Sequence, residues 1–343
     1  MQQTDNPILV EVTRGPAVES IHRGAAIVID NAGGTVASWG NVTHPMYPRS
    51  AVKPLQAVPL IVSGAADALD VSPEEIALAC ASHSGEPAHT SAVDRWLHRL
   101  GYDVDTLECG AHPPVDNETR RRLMRQAEEP TQLHNNCSGK HAGFLTICRH
   151  LGFPAAGYAR PDHPVQHWIR KALEGLTGCS LQNAPLGVDG CGIPVYGIPL
   201  QGIATAMMKI ACPDGLDDET ARAVVRIREA MIAHPHLVAG RHRFCTEVMN
   251  ALAPNVVVKT GAEGVFCAAM LDQGLGVALK IDDGASRASE VAMGGVLRRL
   301  EAVGTSQFRK LAAKLEPEVR NVAGKPVGVI RASSVLLVKT AGR

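Results

Sequence analysis

Residues 49–54 read Arg49-Ser50-Ala51-Val52-Lys53-Pro54, and the way this stretch folds decides what the rest of the chain must build around it. A serine and a lysine three positions apart share one face if the segment is helical, and the amine then reaches the hydroxyl and can act as its base. Pro54 restricts the geometry. Proline is tolerated only in the first turn of a helix, so the helix must begin close to Ser50. Alone, the spacing discriminates little, because serine and lysine fall three apart by chance in most chains of this size. The bland reading is an exposed lysine beside a helix cap.

Outward from this stretch, the pattern before it is extended and the pattern after it is helical. The segments 7–15, 20–30 and 35–40 read as a strand meander, with Asn31-Ala32-Gly33-Gly34 as a turn signal. Ser72-Pro73-Glu74-Glu75 starts a helix: Ser72 is the N-cap, Pro73 takes the first helical position and Glu75 completes a capping box. That helix delivers Ser82 near its C-terminal end. Val93, Trp96, Leu97 and Leu100 mark a second helix, and further helices are predicted over 117–128, 141–151 and 164–175. Beyond Pro194, helices are predicted over 202–211, 217–234 and 287–301. Residues 256–260, 264–271, 274–281 and 326–339 read as strands, two of them joined at Asp272-Gln273-Gly274. Strands at both ends around a helical middle imply an α/β (α+β) fold: an antiparallel sheet built from both termini, flanked by helices, with a helical middle region. We expect a single catalytic unit over 1–343, with the sheet portion at roughly 1–45 with 194–343 and the helical portion at roughly 46–193.

Composition narrows the function. The chain has 343 residues, with 34 Lys+Arg against 34 Asp+Glu, so nothing provides an electrostatic footprint for nucleic acid or an anionic membrane. No apolar stretch reaches the roughly 18–20 residues of a membrane span. The N-terminus lacks a basic region followed by an apolar core, so no signal peptide is expected and the cytoplasm is the expected location. Nine cysteines, an odd number, then read as reduced thiols, most of them core. With only 3% aromatic residues, the core must be built from Ala, Val, Leu, Ile and Met.

Two segments give the Ser50–Lys53 spacing its weight. Ser82-His83-Ser84 follows a helix, and Lys259-Thr260-Gly261 ends a β-branched strand. Taken in order, the three segments resemble the motif set of penicillin-recognising serine enzymes, with Ser84 in place of the usual asparagine and with different gaps. A thiol-rich cluster is the other unusual feature. Asn135-Asn136-Cys137-Ser138-Gly139-Lys140-His141 leads into a helix, and Asp189-Gly190-Cys191-Gly192 lies in a turn-rich segment. By residue type, Cys137, His141, Asp189 and Cys191 form a candidate zinc shell, although the spacing matches no recognised zinc signature. The alternative is two buried cysteines and a surface histidine. Cys80, Cys109, Cys148, Cys179, Cys212 and Cys267 sit in apolar contexts and read as core, and Cys245 stays open.

The segments RSAVKPLQ, CASHSGEPAHT, CGAHPP, HNNCSGKHAGFL, GVDGCGIPVYGIPL, VKTGAEGVF and KIDDGASRA together resemble the rhizobial-type L-asparaginase II family, also called class 3 asparaginases, in order and spacing over roughly residues 8–340. The resemblance implies a serine β-lactamase/glutaminase-like fold. It implies Ser50 as nucleophile with Lys53, and Ser82 with Lys259 as a second Ser-Lys pair. It implies Arg49 and Asp189 as polar residues lining the substrate, and zinc held by Cys137, Lys140 and Cys191. The family therefore takes Lys140 where residue type alone favoured His141, and a lysine ligand must be deprotonated. A homodimer is implied as well.

The reaction so implied is hydrolysis of L-asparagine to L-aspartate and ammonia through a serine acyl-enzyme. Backbone N–H groups of Ser50 and of Gly261 or Ala262 are the expected oxyanion donors. Zinc is expected to orient the substrate's α-amino and α-carboxylate groups. Alternatives are a glutaminase or other amidohydrolase on the same scaffold, a β-lactam-interacting serine enzyme, and a non-enzymatic zinc-binding regulator.

Overall fold

The computed structural model describes residues 6–338; the first positions of the N-terminal reading and Lys339, the last of the predicted C-terminal strand, lie outside them. The chain divides into two compact units: one of residues 1–51, 198–212 and 247–343, the other of 52–197 and 213–246.

The first unit is a mixed unit built on one antiparallel sheet. Its strands are β1 (Ile8–Arg14), β2 (Ala17–Ile29), β3 (Thr35–Trp39), β4 (Val256–Thr260), β5 (Val265–Met270), β6 (Leu275–Ile281), β7 (Glu318–Arg320) and β8 (Pro326–Ala332). They run in the order β7-β8-β1-β2-β6-β5-β4, with β3 also paired to β2. The N-terminal pair β1–β2 lies between C-terminal strands: Glu11 is opposite Arg331 on one side, and Ile27 opposite Ala278 on the other. β2 changes character along its length. Its first residues are mostly exposed, whereas Gly24–Val28 and Ile29 are buried on both faces, as are all of β5 and nearly all of β6. Such strands need helical cover, and helices Leu200–Ala211 and Ser286–Arg299 pack on them. Gly276 permits the first of these contacts, because a side-chain carbon there would overlap Ala204 O and Met208 N.

The predicted strand over 326–339 is shorter than expected. β8 ends at Ala332, where the Ser333 hydroxyl donates to Ile8 O at 2.5 Å and a four-residue helix, Ser334–Leu337, follows. Ser333 thus offers the backbone an alternative to the ladder.

The second unit is helical. Helix Pro73–Ala79 starts on the expected capping box, with Glu75 N–H donating to Ser72 Oγ at 3.3 Å and Ser72 N–H to Glu75 Oε2 at 3.0 Å. Helix Pro87–Arg99 returns Arg99 to Glu75 as a bidentate pair at 2.8 and 2.6 Å. Helix Ser138–Leu151 is buried from Ser138 to Cys148 and packs on Pro73–Ala79, with Pro164–Thr177 and Asp218–Ala233 completing the layer. Leu186–Val188 and Pro194–Tyr196 form a small hairpin whose turn carries Asp189 and Cys191. No described helix is long and apolar enough to cross a membrane.

Candidate active site

Lysine is almost never fully buried without a partner or a task. Among the described residues three lysines are buried, and they are Lys53, Lys140 and Lys259. Each belongs to a segment singled out by the sequence.

In the sheet unit, Ser50 stands on a tight turn. Arg49 holds a left-handed backbone (φ 51°), Ala51 N–H donates to Pro48 O at 3.1 Å, and a 3-10 turn Arg49–Val52 runs straight into helix Lys53–Gln56. A non-glycine residue in that region stores roughly 1–3 kcal/mol of strain, a cost that accumulates at functional positions. Pro54 sits in the first helical turn, as its missing N–H demands. The end of β4 lies against this turn: a side-chain carbon on Gly261 would stand 2.7 Å from Pro48 O and 3.1 Å from Ala51 N. The Cys267 thiol, on neighbouring β5, lies 3.3 Å from Ala51 O and 3.5 Å from Lys259 O and so ties the serine turn to the lysine strand. Lys259 Nζ donates to Thr260 O at 2.8 Å. Gly261 N–H is already donated to Val265 O at 2.7 Å, so of the two expected oxyanion donors beyond β4 this favours Ala262.

In the helical unit, Lys53 is wholly buried. Its Nζ faces three acceptors: Ala81 O, Ser82 Oγ at 3.1 Å and Asn136 O at 3.2 Å. As an ammonium it donates to all three; as an amine it keeps a lone pair for proton capture. Ser82 is set by its N–H, which donates to Val238 O at 2.9 Å. Ser84, which stands where asparagine was expected, donates its hydroxyl to Ala239 O at 3.0 Å and receives Arg243 NH1 at 3.3 Å. It anchors a loop.

The thiol cluster assembles around Lys140. Lys140 Nζ lies 2.9 Å from Cys191 Sγ, and Cys137 Sγ–H has Asn136 Oδ1 at 3.1 Å and the Cys191 sulfur as acceptors. The Cys137 hydrogen bond pulls the Cys191 thiol down to about 5 against the cost of burial, with Lys140 adding to it. The same hydrogen bond, with burial, pushes Cys137 up to about 12. Burial opposes the charge on Lys140, but Cys191, Cys137 and Asp189 outweigh it and raise its pKa. The result is a buried thiolate–ammonium pair beside a thiol. Asp189 closes the hairpin turn, with Gly190 N–H donating to its Oδ1 at 2.8 Å and its own N–H reaching Ile193 O at 2.9 Å.

His141 points elsewhere. Its Nδ1 lies 2.7 Å from Tyr158 Oη, which accepts Glu108 N–H at 2.8 Å, and burial followed by the nearby Lys140 holds the imidazole down at about 3. Its Nε2 is buried and has no hydrogen-bond partner. It is Lys140 that meets Cys191.

Glu86, His89 and His236 form a second group of metal-binding residue types, with ligand atoms within 4.8 Å of one another. Their hydrogen bonds leave little for an ion. His89 Nδ1 accepts Glu86 N–H at 3.1 Å and its Nε2 donates to His236 O at 2.9 Å. Glu86 receives Arg241 N–H at 2.8 Å, Arg241 Nε at 2.9 Å and His236 Nε2 at 3.0 Å. The Arg241 guanidinium already neutralises the Glu86 carboxylate.

Sequence reasoning gave no role to His83, Asn136, Tyr158 or this Glu86 network and read Cys267 as core. His83 and Asn136 carried a signal, as members of the Ser-x-Ser and Asn135–His141 segments.

The model of the L-asparaginase II family matches residues 10–332. No curated protein matches the chain. Among solved structures, Mglu in its native form is similar at 12% identity and TM-score 0.45, over 81% of this chain; the chain spans 64% of Mglu's length. Unliganded simvastatin synthase LovD from Aspergillus terreus is 12% identical (TM-score 0.38; 78% of this chain, 90% of that one). The D-alanine carboxypeptidase AmpC from Burkholderia cenocepacia is 13% identical (TM-score 0.38; 84% and 93%).

Proposed function

Because the chain belongs to the L-asparaginase II family, we propose that this amidohydrolase of the asparaginase type hydrolyses L-asparagine to L-aspartate and ammonia through an acyl-enzyme on Ser50. The observation that carries the proposal is the buried Lys53 amine, one helical turn after Ser50 and 3.1 Å from Ser82 Oγ.

In the proposed reaction, neutral Lys53 takes the Ser50 proton as Oγ attacks the side-chain carbonyl carbon. The tetrahedral oxyanion is received by the N–H groups of Ser50 and Ala262. The proton passes from Lys53 through the Ser82 hydroxyl to the amide nitrogen, the C–N bond breaks and ammonia leaves. Water then adds to the ester, returning the proton to Ser50 and releasing aspartate. Lys259 contributes positive charge beside the Ser50 turn, and Arg49 and Asp189 contact the α-carboxylate and α-amino groups.

Cys137, Lys140 and Cys191 fit zinc as a donor set: two sulfurs and an amine, buried, with one sulfur already a thiolate and with the Cys137 thiol and the Lys140 ammonium each holding a proton that zinc would displace. Bound zinc supplies positive charge that orients the amino-acid end of the substrate. We extend the proposal to a single catalytic unit over 1–343, acting as a homodimer in the cytoplasm.

The test is ammonia release from L-asparagine and L-glutamine side by side, for wild type, Ser50→Ala and Ser82→Ala, with and without added zinc. Asparagine turnover lost in folded Ser50→Ala supports the reading. Full activity in that variant overturns it.

A further inference from the structure

His83 is fully buried, and the proposed chemistry gives it no task. A leucine would fill the same volume without polar atoms to satisfy. Instead both ring nitrogens are engaged, and the pattern fixes one tautomer. Gly85 N–H donates to Nδ1 at 3.2 Å, so Nδ1 carries a lone pair and Nε2 carries the hydrogen. Nε2–H then donates to Ser138 Oγ at 2.9 Å, and Ser138 passes its own hydrogen to Leu133 O at 3.0 Å. Below, the ring stacks on His89 with centroids 4.8 Å apart and planes 8° from parallel. His89 is itself fixed by Glu86 N–H and His236 O.

The backbone repeats the connection. His83 N–H donates to Asn136 O at 3.3 Å, and the same carbonyl accepts Lys53 Nζ at 3.2 Å. Asn136 Oδ1 accepts Cys137 Sγ–H at 3.1 Å, and Asn136 N–H is held by His112 Nε2 at 3.1 Å. His83 follows Ser82 in the chain, and Ser138 follows Cys137. One imidazole and one peptide therefore join the segment bearing the serine–lysine chemistry to the segment bearing the thiols.

We propose that His83 is a positioning residue that, through Ser138 and the Asn136 carbonyl, fixes the spacing between the Lys53–Ser82 pair and the Cys137–Cys191 thiols, and that this spacing measures substrate length. The inference rests on the proposed asparaginase reading, in which the pair works on the side-chain amide and the thiol cluster receives the amino-acid end. Asparagine and glutamine differ by one methylene between those ends. A rigid strap rejects the longer one; a slack strap does not.

The experiment compares wild type, His83→Phe, His83→Gln and Ser138→Ala for three quantities: thermal midpoint, kcat/KM on L-asparagine and on L-glutamine, and the rate of alkylation of the Cys137–Cys191 pair by iodoacetamide located by mass spectrometry. His83→Phe keeps the ring and loses both nitrogens; His83→Gln restores a donor toward Ser138. A single methylene is worth about 10- to 200-fold in discrimination, so in folded His83→Phe the asparagine-over-glutamine ratio falls by about tenfold or more. Alkylation of the pair accelerates, Ser138→Ala moves both readouts the same way, and His83→Gln recovers most of the ratio. Alkylation unchanged in folded His83→Phe and Ser138→Ala overturns the strap, whichever amide is hydrolysed. Faster alkylation with an unchanged ratio overturns the measuring role. Wild type inactive on both amides fells the asparaginase reading and the measuring role with it, while alkylation still decides the strap.

Discussion

The serine turn of the sheet unit and the lysine pocket of the helical unit are held by different means. Around Ser50 the restraints are backbone ones: a left-handed Arg49, a Pro48–Ala51 hydrogen bond, a glycine pressed against the turn and a thiol touching two carbonyls. Around Lys53 they are hydrogen-bond networks among Ser82, His83 and Ser138, all buried, and the half-buried Asn136. Damage should follow suit. The first region is vulnerable to added atoms and the second to lost partners, because buried polar groups cost free energy once unpaired.

The largest effect is expected at the pocket. Lys53→Met removes the proposed general base and takes a donor from Ala81 O and Ser82 Oγ while Asn136 O keeps His83 N–H, and kcat should fall by about 10³-fold or more. Ammonia release measured on folded protein checks this. At the turn, Gly261→Ala adds a single carbon 2.7 Å from Pro48 O, and backbone displacement near 1 Å is worth about 10²-fold in rate. If Gly261→Ala kept full activity, the turn would be softer than its contacts imply.

Smaller effects test the supports. Glu86→Gln weakens the bonds to Arg241 and His236 and should cost about 2 kcal/mol at neutral pH, read from denaturant unfolding. Burial opposes the Glu86 charge, but Arg241 N–H and His236 outweigh it and its pKa lies below the ordinary 4.5. A depressed carboxylate contributes stability that is fully present above its unfolded value and is lost as pH falls through its folded value. The gap between wild type and Glu86→Gln should therefore hold from pH 7 to about pH 5 and close below pH 4.5, followed by thermal midpoints. Least of all, Ser72→Ala removes one half of a capping box far from either region and should cost about 1 kcal/mol with kinetics unchanged.

The same contrast explains what the sequence made legible. The Ser72–Glu75 box, the β-branched strands and the Pro54 restriction are local rules, and each is present where it was expected. The helices Phe244–Leu252 and Thr305–Leu315 were not read. His83 and Ser138 are 55 positions apart, and no spacing rule reports a bond of that span. The choice between Lys140 and His141 is similar. Adjacent residues on a helix point about 100° apart, and only the fold says which of them meets Cys191, 51 positions from Lys140.

The interleaving of early and late strands has a consequence for how the protein is made. β1 pairs with β8, and β2 with β6, so the strands that lead into Ser50 find these two neighbours only after β6 and β8 have emerged. At typical elongation rates, roughly a quarter of a minute to a minute separates the emergence of β1 from that of β8. During that interval the nascent chain exposes unpaired edges on β1 and β2, and its serine turn lacks its brace until β4 emerges. A chain released before β6 and β8 have emerged would keep those edges open to chaperones and proteases.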